Sequence, residues 1–137
     1  MGSPTTAQGW LAVARERGSD AGALRSRTES VGAPYLAGYA VECALKALLQ
    51  KRGQAFPRQG RQGHNLRNLW RKTGFRLRDL HDPEGHRAYF VEEWSTDLRY
   101  EVVLPASPDR PTGDLVQAAR SLVGWITGQM KRSGRRR

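Results

Sequence analysis

Three histidines, one cysteine and a glutamate and lysine set inside an apolar stretch are the residues of this chain with chemistry to offer. Histidine exchanges protons near neutral pH, which makes His64, His81 and His86 the candidates for acid–base work. None has the spacing of a metal site. No His-x3-His or HExxH arrangement occurs, and a single cysteine excludes a cysteine-rich zinc site and an intrachain disulfide. Cys43 has no electropositive, exposed setting and reads as a small core hydrophobe rather than a nucleophile. Serines and aspartates occur without a triad context, and no glycine-rich phosphate loop is present. No cofactor and no metal are therefore expected, and His86, in the first turn of a predicted helix, is given a surface position without a role.

The glutamate and lysine are the unusual pair. Within residues 35–50, Tyr35, Tyr39, Glu42, Lys46 and Leu49 follow at i, i+4, i+7, i+11 and i+14, one stripe of a 3.6-period helix. Leu36, Ala40, Val41, Cys43, Ala44, Leu45, Ala47 and Leu48 cover the other faces, so the helix is buried all round. A buried glutamate needs a partner: Glu42 either pairs with Lys46 one turn on, or faces a site or a partner subunit.

The elements that must position these residues read as helices. The 137 residues fit one domain with its own hydrophobic core. A first helix starts after Thr5 or Thr6 as N-cap, with Trp10, Val13 and Ala14 inward, and runs either as one long bent helix or as two short ones around Gly18-Ser-Asp20. The second opens at Pro34 and ends at Gly53, a left-handed cap. A basic loop of Pro, Gly, Gln and Arg follows over 54–63. Leu66, Leu69 and Trp70 give a short third helix closed by Gly74. Asp82-Pro83-Glu84 reads as N-cap, N1 and first-turn acid of a fourth that packs Tyr89, Phe90 and Trp94. Residues 98–104 are β-prone but have no second strand to pair with, so they are expected as extended chain on the bundle. Asp114 caps a last helix with the stripe Leu115, Ala118, Ala119, Leu122, Val123, Ile126 and Met130. The fold class is all-α, an antiparallel bundle of four to five helices over 5–130, followed by a basic disordered tail over 131–137.

Charge supplies a second signal. The formal net charge is +10, and nineteen of the 23 basic residues are arginine. Such a surplus attracts phosphate polymers, acidic lipid or acidic protein, and arginine suits bidentate phosphate contacts; a GC-rich coding genome yields the same arginine bias. No run approaches the roughly 18 apolar residues of a membrane span, and the N-terminus lacks a leader pattern, so a cytoplasmic protein without membrane contact is expected.

Three segments resemble the HEPN superfamily. Tyr39-Ala-Val-Glu-Cys-Ala-Leu-Lys-Ala-Leu-Leu49 is similar to that family's helix in which a glutamate precedes an Ala-Leu-Lys-Ala-Leu run. His64-Asn-Leu-Arg-Asn-Leu69 is like its His-Asp-Leu-x-x-Leu element, and Leu98-Arg99-Tyr100 is like its Arg-Tyr pair before the last helix. The resemblance implies a compact helical bundle, usually dimeric, that binds or cleaves RNA or associates with nucleotidyltransferases. Ribonuclease members carry R-x4-6-H towards the last helix. Here that helix has no histidine, and the pair with matching spacing, Arg76 and His81, lies in a linker before the fourth helix.

Metal-independent RNA cleavage needs a base for the 2'-hydroxyl proton and a cation for the charge growing on phosphate. His64 and Arg99 supply both if the fold brings them beside Glu42, and Arg76 with His81 is the runner-up pair. The structural alternative has His64 capping the third helix, Arg99 in a buried ion pair with Glu42, and Tyr100 filling the core. Lys46, Arg58, Arg61, Arg67, Arg71 and Tyr100 are the expected RNA contacts. Two functions follow from the resemblance. One is an RNA-binding protein or metal-independent ribonuclease, homodimeric, in a bacterial toxin–antitoxin or anti-phage defence setting. The other is a catalytically inactive module that assembles with a partner protein encoded nearby, such as a nucleotidyltransferase or a defence effector.

Overall fold

The computed structural model describes residues 4–24, 31–57, 63–100 and 112–135. Among them are five α-helices: α1 (Ala7–Leu24), α2 (Gly32–Lys51), α3 (Leu66–Thr73), α4 (His86–Glu92) and α5 (Thr112–Arg135). Two short 3-10 turns, Leu77–Asp79 and Thr96–Tyr100, complete them, and no strand occurs among the described residues. The all-α expectation holds. The β-prone stretch departs from it: 96–100 is a 3-10 turn that buries Leu98, whose N–H donates to Ser95 O at 3.2 Å, and 101–104 lie outside the described residues.

Helix α2 is the axis on which the rest is assembled. Fourteen of its twenty residues are buried, and α1, α3, α5 and the 96–100 turn all pack on it. Leu45, Leu48 and Leu49 are fully enclosed, each a burial of about 2 kcal/mol relative to exposure. The helix opens two residues before the expected Pro34, which falls in the first turn, where its missing N–H leaves no helical bond unmade. Its end is a paired cap: Gly53, at φ 71°, donates to Gln50 O, and Gln54 donates to Leu49 O at 3.0 Å.

Helix α1 runs antiparallel to α2, since Trp10 near its start meets Lys46 and Phe56 at the far end of α2. It is one continuous helix through Gly18-Ser-Asp20, because Ala14 and Ala21 on either side are both buried and hold the turn between them. Thr6 caps it, its Oγ1 accepting from Gly9 N–H at 3.0 Å. Helix α5 runs alongside α2 in the same direction, and the C-terminal parts of three helices meet. Lys51 Nζ donates to Met130 O of α5 at 3.0 Å, and Arg52 Nη1 donates to Thr73 O of α3 at 2.8 Å. Cations at these carbonyls also oppose the negative ends of the helix dipoles. Residues 131–137 were expected as a disordered tail, but α5 continues to Arg135, and only 136 and 137 fall outside the described residues.

Helix α4 begins at His86 rather than beside Asp82, with Gly85 at φ 75° leading in. Asp82 still caps it across the intervening turn, its carboxylate accepting from Arg87 N–H at 3.1 Å and Ala88 N–H at 2.9 Å. That anchors Tyr89, Phe90 and Trp94 in the core, as expected. Trp94 lies against Gly38 of α2, where a Cβ would come within 1.9 Å of its ring, and its Nε1 donates to Pro34 O at 3.1 Å.

Candidate functional site

The polar stripe of α2 becomes a site because α3 delivers His64 to it. Asn65 caps α3, its side chain accepting from Asn68 N–H at 3.1 Å, so the cap expected of His64 is made by its neighbour. His64, released from that duty, places Nδ1 2.9 Å from Glu42 Oε1. The other carboxylate oxygen, Oε2, accepts from Lys46 Nζ at 3.0 Å. Both ends of one carboxylate are thus occupied, with side-chain exposure of 3% at Glu42, 1% at Lys46 and 34% at His64. Lys46 Nζ also stands 4.8 Å from the centre of the Trp10 ring, a cation–π contact in a dry setting.

The chemical consequence falls on the imidazole. A carboxylate only accepts, so Nδ1 is the donor and Nε2 carries the lone pair of the neutral ring. This is the arrangement of a base oriented by a third group, with the exposed edge of the ring left for a ligand. The edge opens on a cleft of about 400 Å³ lined by His64, Asn65, Arg67, Glu92, Glu93 and Asp97, with Trp94 in its wall. Tyr39 meets the His64 ring edge-on at 5.7 Å, and Tyr35, Tyr39 and Trp94 form one aromatic group behind it. Arg67 is oriented at this cleft, its Nη2 donating to Glu92 O at 2.7 Å and its other N–H groups remaining.

The expected site residues separate accordingly. Glu42 and His64 meet directly. The side chain of Arg99 lies outside the described residues, and its backbone belongs to the 96–100 turn that supplies Thr96 and Asp97 to the cleft. Tyr100 does not fill the core; it is 72% exposed. Arg76 and His81 flank the Leu77–Asp79 turn on the surface, and neither lines the cleft. Among the expected RNA contacts, Arg67 and Arg71 are exposed, and Arg58 and Arg61 lie outside the described residues. Lys46 is a correction: the salt bridge to Glu42 is internal to the core, so burial removes it from any surface that RNA could reach.

Cys43, also buried, has its thiol pushed up from 9.0 to about 12, first by burial and then by the neighbouring charge of Glu42, so no thiolate nucleophile is at hand. Elsewhere, Glu84, His86 and Asp114 bring ligand-type atoms within 4.8 Å of one another at the starts of α4 and α5. His86 Nδ1 lies 3.3 Å from Glu84 Oε2, apart from the cleft, and its side chain is 13% exposed, more enclosed than the surface position expected of it. No described helix is long and apolar enough to cross a membrane.

Sequence reasoning missed the acidic wall of the cleft. Glu92, Glu93 and Asp97 drew no reading from the sequence, and only the burial of Trp94 among them gives that stretch an inside and an outside.

No protein-family model matches the chain, and no curated protein sequence does. In three dimensions it is similar to the crystal structure of an archaeal HEPN homologue, with a TM-score of 0.59 and 18% sequence identity, over 93% of this chain and 99% of that one. At that identity the likeness is one of fold: the bundle is HEPN-like.

Proposed function

We propose that this HEPN-like bundle binds single-stranded RNA and cleaves it without a metal, with His64 as the base. The observation that carries the reading is the buried Glu42 carboxylate holding Nδ1 of a part-exposed imidazole at 2.9 Å beside a cleft. In the reaction His64 Nε2 takes the proton of a ribose 2'-hydroxyl, the 2'-oxygen–phosphorus bond forms and the phosphorus–5'-oxygen bond breaks. The leaving oxygen takes a proton from water, and the hydroxide so formed recovers the proton held on His64, giving a 2',3'-cyclic phosphate and a 5'-hydroxyl end. Arg67, which lines the cleft, would offset charge on the phosphate oxygens. The net charge of +10 supports the RNA reading through a general attraction for polyanions. On this reading the protein is a cytoplasmic homodimer in a toxin–antitoxin or defence setting.

The test is incubation of the purified protein with single-stranded RNA across a salt series. Cyclic-phosphate products are expected, abolished by His64→Ala with the helical circular dichroism unchanged and retained by His81→Ala. The log of the affinity should fall with log salt by about 0.7 per phosphate contacted. No cleavage together with a flat salt dependence overturns the reading.

A second reading, an inactive module that docks a partner protein, draws on one observation. A groove of about 290 Å³ between α1, α2 and α5 has a floor of Ala14, Ala21, Ala37 and Ala40, with Arg15 and Arg120 among its walls.

A further inference from the structure

The whole surplus of positive charge sits in one stretch of the chain. Residues 43–78 hold ten lysines and arginines and no acid, while the other 101 residues carry 13 cations and 13 acids. A coding bias towards arginine adds cations everywhere; it does not clear the acids from one stretch.

Folding gathers much of that charge on α3. With about 3.6 residues per turn, Arg67, Arg71, Asn68 and Lys72 follow one another round the side of α3 that faces away from the buried Leu66, Leu69, Trp70 and Thr73. Arg76 and Arg78 continue the charge past the Gly74 cap. Arg67, Arg71, Lys72, Arg76 and Arg78 are all exposed, and none forms an ion pair among the described residues.

Two hollows open on this face. The His64 cleft takes Asn65 and Arg67 from the start of α3, and a second hollow, of about 370 Å³, is lined by Pro57, Asn68, Arg71 and Lys72 further along it. Arg67 and Arg71 are four residues apart, about 6 Å along the helix, so a strand crossing from one hollow to the other meets a cation at each turn. The carbonyls that end α3 would repel phosphate, yet two of them are taken: Lys72 O accepts from Gln54 Nε2 at 3.1 Å and Thr73 O from Arg52 Nη1 at 2.8 Å. Across the cleft from Arg67 stand Glu92, Glu93 and Asp97, whose like charge turns phosphate away from that side and towards α3. Unpaired cations repeated along one helix face suit a backbone of repeated phosphates, Arg71 as a planar fork of donors and Lys72 as a mobile point charge.

Resting on the proposed RNA-cleaving function, we infer that the hollow of Pro57, Asn68, Arg71 and Lys72 is a second phosphate subsite, holding the backbone of the RNA strand to one side of the phosphate that lies at His64.

The experiment measures binding of a short single strand of 2'-O-methyl RNA, which lacks the attacking hydroxyl, to the full chain across a salt series. It is repeated with Arg71→Gln, Lys72→Gln and Arg17→Gln, the last removing an equal charge from α1, where Arg17 pairs with Asp20. The slope of log affinity against log salt should become shallower by about 0.7 in each α3 variant and stay as it was in Arg17→Gln. With cleavable RNA, both α3 variants should raise KM. Unchanged slopes in the α3 variants, or an equal change in Arg17→Gln, overturn the inference, because the charge then acts only as a general field. A shallower slope with KM unchanged overturns it too, since the hollow then lies off the path of the cleaved strand. Tighter binding of polyglutamate than of the RNA would assign the face to an acidic protein and end it. Cleavage and salt dependence that survive both α3 variants would leave the proposed function standing without this subsite. Slopes that respond in a protein that cleaves no RNA would keep the phosphate subsite and end the catalytic reading.

Discussion

Replacing Gly38 with alanine should destabilise the protein, although alanine is the better helix former. A Cβ at Gly38 would stand 1.9 Å from Trp94 Cε2, 2.0 Å from Nε1 and 2.4 Å from Cδ2, where real contacts stay beyond 3.0 Å. The indole must retreat by more than an ångström. It is 5% exposed, its Nε1 holds Pro34 O at 3.1 Å, and its ring packs on Tyr35 and Tyr39, so retreat disrupts all three contacts. Overpacking costs about 1–3 kcal/mol, a lost buried hydrogen bond about 1 and weakened aromatic pairs roughly 1 more, against a helix-propensity gain of about 1. The balance is a loss of about 3 kcal/mol, a large share of the roughly 5–15 kcal/mol that holds a domain folded. Urea unfolding followed by circular dichroism and tryptophan fluorescence measures it, and the melting temperature should drop by roughly 10 °C. A neutral or stabilised Gly38→Ala would refute the reasoning. So would an equal loss when the same change is made in Trp94→Ala, where the clash is gone and the propensity gain should emerge.

Lys46→Met should cost about 3–5 kcal/mol in the same unfolding assay, because it strips a buried carboxylate of the amine that donates to it at 3.0 Å; a loss under 1 kcal/mol would mean that water reaches Glu42. The raised thiol of Cys43 makes folding favour its protonated form, so that contribution is intact below pH 9 and lost as pH rises towards about 12. The urea midpoint of the native protein should therefore fall through that window more steeply than that of Cys43→Ala, and parallel curves would contradict it. Asn65→Ala removes the cap of α3 and should cost about 1 kcal/mol while loosening His64, seen as a broadened imidazole signal in NMR spectra.

How much of this was legible in the chain depended on distance along it. The all-round apolar pattern of α2, the Leu66, Leu69 and Trp70 stripe and the glycine caps at Gly53 and Gly74 are local signals, and each appears where it was expected. The Glu42–Lys46 pair is one turn apart and was equally readable. His64 beside Glu42 was readable only as a condition on the fold, since that bond spans 22 residues and depends on where α3 docks. Its cap role was misassigned by one position because histidine and Asn65 stand side by side and only the backbone decides which faces the helix. Local propensity failed twice where packing overruled it. Gly18-Ser-Asp20 reads as a break, yet burial of Ala14 and Ala21 carries α1 through it, and the β-prone 98–100 gains more by burying Leu98 in a 3-10 turn than by staying extended without a partner. The encounter of Gly38 with Trp94 has no signal in sequence at all.

The enclosure of α2 also has a consequence for synthesis. Its last residue is Lys51, whereas α5, which covers one of its faces, begins about sixty residues later. At roughly 5–20 residues per second, the helix waits about 3–12 s on the ribosome with that face open. During those seconds α1, already made, is the only large helix able to shelter it among the described elements. A nascent chain of this protein is thus a two-helix hairpin with an apolar, adhesive side, and the stretch of translation before α5 emerges is when chaperones have most reason to hold it.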